Sequence, residues 1–154
     1  MFLTARRRDE VLGDVVMAGK LKFHVASAAQ LREQVFKSAQ WLTAQDITER
    51  VGFRTASPSL QLNKWTSAGL IFTISDEGHD KFPAYALGDD GSPLPIMKEI
   101  LAAFAGKRQP LSIATWFAAA NGWLGGKSPM EMLAEHGDAV VSAAIMEVAP
   151  IRHG

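Results

Sequence analysis

Trp116-Phe117-Ala118-Ala119-Ala120-Asn121-Gly122-Trp123-Leu124-Gly125-Gly126-Lys127-Ser128-Pro129-Met130-Glu131 is the stretch on which the reading of this chain turns. Its left half closes a helix that begins at Pro110 and ends near Gly122. Gly125 and Gly126 then supply the backbone freedom of a tight turn. Ser128 caps the next helix, Pro129 takes its first position, and Glu131 completes a capping box. The same Gly-Gly-Lys-Ser tempts towards a phosphate-binding loop. That motif needs a glycine five positions before the Gly-Lys pair, where Asn121 stands, and a strand ahead of it, where the pattern is helical. A helix–turn–helix start accounts for more of the residues.

Working outward, helices are expected over 95–105 (closed by Gly106), 110–120, 129–136 (closed by Gly137) and 138–148, before Pro150. Trp116, Phe117, Trp123, Leu124, Met130, Met132 and Leu133 form a dense apolar cluster. Most of it builds the core of a small bundle. The surplus over what four short helices can cover offers a partner surface. Ala139, Val140, Ala143, Ala144 and Met146 suit close helix packing within the chain or between chains.

Upstream, Asp89-Asp90-Gly91-Ser92-Pro93 is the strongest internal break. Before it, residues 71–75 and 81–85 flank the turn-rich 76–80 as a hairpin, with Pro83 restricting the second strand to an edge. Ser27 and Gln30 fit a capping box, after which Leu31, Val35, Ala39 and Leu42 mark one helix face. Thr43 to Asp46 opens a second helix, with Ile47 and Val51 inward and Gly52 as its stop. Ser57-Pro58 opens a third, with Leu62 and Trp65 inward and Gly69 at its end. In residues 1–26, Val11, Leu12, Val15 and Val16 recur at helical spacing up to Gly19, and residues 21–25 alternate like a short strand.

Helices at 43–51 and 57–68 followed by a hairpin have the layout of a helix-turn-helix with a wing. There the second helix enters the major groove. The outward polar residues are Ser59, Gln61, Asn63 and Lys64, with Arg54 before the helix and His79 and Lys81 on the wing. The turn is longer than the standard by about four residues. One cation on the helix is little, because phosphate neutralisation supplies most of the affinity for DNA.

The order Trp116, Asn121, Leu124-Gly125-Gly126-Lys127-Ser128-Pro129, Leu133 resembles the "W…N…L-G-G-x-x-P…L" signature of the Xre/MbcA/ParS toxin-binding domain of type II antitoxins. Trp65, Gly69, Leu70-Ile71-Phe72, Phe82-Pro83-Ala84 and Gly91-Ser92-Pro93-Leu94-Pro95 resemble the run that precedes it in members with a helix-turn-helix. Together these span about residues 42–149. The resemblance implies a mostly helical protein that binds and occludes a toxin, commonly an NAD-degrading one, that dimerises, and that represses its own operon by binding operator DNA. On the motif match, Trp116, Leu124, Gly125, Gly126 and Pro129 carry the domain signature as fold-making residues. Trp123, from the same apolar cluster, is counted with them as a candidate partner-binding or signature residue. After residue 148 only Arg152 and His153 offer polar groups to a toxin.

Bulk properties leave room for this. Lys plus Arg equals Asp plus Glu at 16 each, so no global charge selects nucleic acid or membrane. Without cysteine there is no disulfide scaffold, thiolate zinc site or cysteine nucleophile. His24, His79, His136 and His153 lack metal spacing. No Gly-x-Ser-x-Gly elbow occurs, and Asp89-Asp90-Gly91 lacks the later ligands of a calcium loop. Residues 1–10 carry arginines with no apolar run behind them, which is not a secretion signal. The most apolar stretch, residues 113–120, falls far short of the roughly 18 residues of a membrane span.

The expectation is therefore a mainly α, cytoplasmic, non-enzymatic homodimer without cofactor or metal. A lead segment (1–42) is followed by a helix-turn-helix-like region with a hairpin wing (43–88), a four-helix toxin-binding-type domain (92–149) and a short tail (150–154). The rival expectation is a DNA-binding regulator or an orphan scaffold that has no toxin.

Overall fold

The structure, a computed structural model, describes residues 27–51 and 58–150. The helix and strand expected in residues 1–26, the stop at Gly52 and the cap at Ser57 lie outside them. So do Arg54 and the tail residues Arg152 and His153. Two compact units divide the chain, Met1–Gln34 and Val35–Gly154. In the first, the described residues 27–34 open helix α1 (Ala28–Ser38). Its start is the expected capping box. The Gln30 amide donates to Ser27 Oγ at 3.1 Å, and the Ser27 amide donates to Gln30 Oε1 at 2.9 Å.

The second unit is mainly helical with one small antiparallel sheet. Strand β1 (Trp41–Leu42) is followed by helices α2 (Ala44–Val51) and α3 (Pro58–Ser67), then strands β2 (Ile74–Asp76) and β3 (His79–Pro83). Helices α4 (Ile96–Phe104), α5 (Pro110–Ala118), α6 (Pro129–Met132) and α7 (Gly137–Val148) complete it, with 3-10 turns at Ala84–Ala86 and Gly122–Leu124. Thr43 and Asp46 cap α2 reciprocally, with amide-to-oxygen distances of 2.9 and 3.2 Å. Gly69, at φ +74°, follows the end of α3 where a helix-terminating glycine was expected.

Three expectations are corrected here. The face running from Leu31 to Leu42 is broken, because α1 stops at Ser38. Ser38 Oγ and Trp41 Nε1 both donate to the Val35 carbonyl, which satisfies an acceptor that another helical turn would have taken. Trp41 and Leu42 instead pair with Pro83 and Phe82.

The hairpin is also displaced. Glu77 and Gly78, at φ +52° and +79°, form a two-residue turn, so the strands begin immediately beside it and residues 84–86 are 3-10. The backbone twist of such a turn matches the right-handed twist of the flanking strands.

Finally, β3 is the central strand, in the order β1-β3-β2. Pro83 tolerates that position because the Ala84 amide bonds the Gln40 carbonyl at 2.9 Å. Pro83, opposite Trp41, therefore occupies a non-hydrogen-bonded pair whose ladder loses no donor.

The 89–93 turn is tight. The Gly88 amide donates to the Ser92 carbonyl, and the Ser92 amide and hydroxyl both donate to Asp90 Oδ1. Packing continues across it. Phe72 stacks on Phe117 at 6.0 Å and Tyr85 sits 4.9 Å from the same ring. Trp41 touches Phe36, Phe72 and Tyr85 edge-on, while Trp116 bridges Phe117 and Phe104, each 5.1 Å away. One aromatic chain thus runs from Phe36 to Phe104 through a single buried cluster. Among the packed pairs, α4 against α7 is the most extensive.

Candidate partner-binding surface

The turn between α5 and α6 is organised by a buried asparagine. Asn121 Oδ1 accepts from the Trp123 amide at 2.8 Å, which caps the 3-10 turn. The Asn121 amide donates to Lys127 O, and its carbonyl accepts from Leu124 and Gly126. One residue thereby closes both ends of the loop. Gly125 and Gly126 stand at φ +67° and +89° with nothing near the place of a Cβ. Their requirement is conformational rather than steric.

Ser128 and Glu131 close the expected capping box, and the Ser128 amide and hydroxyl both donate to Glu131 Oε2. The Ser128 amide above all, then its hydroxyl and the Lys127 charge, hold the Glu131 carboxyl below its usual range. A short α6 and a tight turn carry the chain into α7.

This local order separates the signature residues into two sets. Trp116, Leu124 and Pro129 are buried and hold the bundle together. The Trp116 indole N–H is enclosed and has no hydrogen-bond partner among the described residues. Trp123, by contrast, is 62% exposed, although its own amide is fixed by Asn121. Gly125, Gly126 and Lys127 lie exposed beside it in the chain. The 3-10 turn packs on α7. That helix buries Val140, Ala143 and Ala144 and turns Ile145 and Met146 outward, at 52% and 45% exposure. Sequence reasoning missed Ile145 as a surface residue; its spacing from the buried positions was the available signal.

The residues expected to meet DNA divide differently. Ser59, Asn63 and Lys64 are exposed on α3, Gln61 is half-buried, and Leu60 is 53% exposed among them. His79 is exposed on the hairpin. Lys81 is half-buried, 3.6 Å from Asp76 Oδ2 and 5.8 Å from the centre of the Phe36 ring. The hairpin also carries Glu77 and Asp80, both exposed, so acidic groups outnumber cations on it.

Among the described residues no three His, Asp or Glu side chains gather as a metal site, and no helix is long and apolar enough to cross a membrane. Comparison with protein-family models, with curated proteins and with solved structures returns no match to this chain.

Proposed function

We propose that the chain is an antitoxin-like protein that acts by binding and covering a partner toxin. On this reading α4 to α7 are the toxin-binding-type domain. The observation that carries it is Trp123, a large aromatic held outward on a loop fixed by Asn121. A rigid exposed aromatic loses little freedom on binding, which is why such residues dominate interface energies. Occlusion needs no catalytic group. Arg152 and His153 stand in sequence just beyond α7 and supply polar contacts at the same end of the chain. The resemblance points to an NAD-degrading toxin as the partner, in the cytoplasm.

Co-purification of the tagged chain with the products of flanking genes tests the proposal. A stoichiometric small partner is expected, and it should be lost from Trp123→Ala while that variant keeps its stability. A partner retained at full stoichiometry by Trp123→Ala would remove this loop from the interface.

The second reading is operator binding by a homodimer, with α2, α3 and the β2–β3 hairpin as a helix-turn-helix with a wing. The exposed Ser59, Asn63 and Lys64 favour it. The acidic hairpin and the six residues between α2 and α3 weigh against tight binding. Fluorescence anisotropy on upstream DNA decides the matter. Binding that falls steeply with salt and is lost in Lys64→Glu supports it, and no binding at low salt excludes it.

A further inference from the structure

An open cavity of about 220 Å³ lies where the end of α3, the segment leading into β2 and the α4–α5 turn meet. Its lining is mostly apolar: Ile71, Phe72, Leu101, Phe104 and Ile113 contribute, and all five are buried. Thr66, Thr73 and Arg108 add polar side chains. The two threonine hydroxyls are already committed, donating to the Leu62 and Lys81 carbonyls at 2.9 Å. Arg108 is therefore the one side chain among the described lining residues with donors to give, and the only charged one.

A guanidinium carries five N–H groups. One meets Glu147 Oε2 at 2.7 Å and a second reaches Ser112 Oγ at 3.4 Å; the others have no acceptor among the described residues. The group stands 5.9 Å from the centre of the Phe104 ring, so a cation with spare donors borders an apolar hollow. The C-terminal ends of α3 and α4 also line the cavity, and their partial negative charge opposes an anion. Their last carbonyls are occupied, however. Trp65 and Thr66 accept from the Leu70 and Gly69 amides, and Phe104 accepts from those of Lys107 and Arg108. The N-terminal end of α5, at Pro110, brings a partial positive charge to the same lining. Glu147 tempers the charge of Arg108 without taking its remaining donors.

We propose that this cavity binds a small apolar monocarboxylate, its hydrocarbon part against Phe72 and Phe104 and its carboxylate on Arg108. A planar carboxylate matches the guanidinium fork, which a point-like anion does not. The volume lies under the roughly 300–1,000 Å³ of drug-sized sites, which restricts the ligand to a small one. Residues 66–73 and 101–113 stand on either side of the 89–93 turn, so a bound ligand ties together the two halves of the unit. Such a site is independent of both the toxin and the operator readings.

Titration of the full chain with 3-phenylpropionate tests this, followed by the methyl resonances of Ile71, Leu101 and Ile113 and by the thermal midpoint. Saturable shifts of those methyls and a raised midpoint are expected, because a ligand bound only by the folded state stabilises it. The uncharged 3-phenylpropionamide should bind about tenfold more weakly, having lost the charge-assisted bonds. Arg108→Gln should abolish that preference. Glu147→Gln, which removes the competing charge, should strengthen binding of the acid. Ala105→Trp, at an exposed lining position, should weaken both compounds with circular dichroism unchanged. Absence of saturable shifts at these methyls overturns the proposal. So does equal binding of acid and amide, or a preference that persists in Arg108→Gln.

Discussion

At the residue scale, Asn121 and the two glycines beside it bear the most local consequence. The Asn121 side chain is buried and supplies the cap of its turn, so Asn121→Ala removes an acceptor and leaves the Trp123 amide without it. A loss of about 1–2 kcal/mol in urea unfolding is expected. Gly126→Ala meets open space, so its cost is that of the left-handed backbone alone, roughly 1–2 kcal/mol.

Glu77 works in the opposite sense. At φ +52° it already bears that strain, and Asn is better suited to the first position of such a turn. Glu77→Asn is expected to raise the unfolding midpoint; a lowered midpoint would mean that the Glu77 side chain makes a contact worth more than the strain. Asn121 was legible as part of a motif, but its capping role was not. A side-chain bond two residues ahead depends on backbone angles that residue type does not specify.

At the scale of elements, the caps were the most readable feature. Ser27/Gln30, Thr43/Asp46 and Ser128/Glu131 all form, because a capping box depends only on residues three apart. The Thr43 amide chiefly, aided by its hydroxyl and by the Arg50 and Lys81 charges, lowers the Asp46 pKa, as Ser128 lowers that of Glu131. A carboxyl lowered on folding adds stability that is complete above its unfolded value and disappears as pH falls through the folded one. Stability should therefore hold steady at neutral pH and decline below the ordinary glutamate value of 4.5. Glu131→Gln should be less stable than the parent at pH 7 and nearly equal to it at pH 2. Thermal unfolding across this range checks the sign; an unchanged gap at pH 2 would deny the charge any role. The strands were less legible. Two residues are too few to show alternation, so Trp41–Leu42 reads as part of a helix until the pairing with Phe82 and Pro83 is seen.

At the scale of the whole molecule, the aromatic chain from Phe36 to Phe104 is expected to make the unit from Val35 onward unfold cooperatively. Phe117 is its junction: fully buried, and in contact with Phe72, Tyr85 and Trp116. Phe117→Ala should cost roughly 3–5 kcal/mol. It should lower the melting of the sheet region and of the last four helices together, in one transition followed by tryptophan fluorescence and far-ultraviolet dichroism. Two separated transitions in the parent would show instead that the turn at 89–93 divides independent domains. Burial of the Tyr85 hydroxyl, which raises its pKa and leaves it without a hydrogen-bond partner among the described residues, belongs to this same packing.

The helical class of the chain, its caps, the glycines that follow α3 and α4 and the turn at 125–126 follow from sequence alone, because each depends on interactions within one helical turn or on a single residue's backbone freedom. Gly137, expected to close a helix over 129–136, instead opens α7, and α6 ends at Met132. Other features needed distant residues to meet: the central place of β3, the seating of Pro83, the burial of Trp116 and the exposure of Trp123. Two tryptophans seven positions apart look alike as residues. Only the packing of α5 on the aromatic chain, and the Asn121 bond that holds the Trp123 amide, decide which one builds the core and which one faces outward.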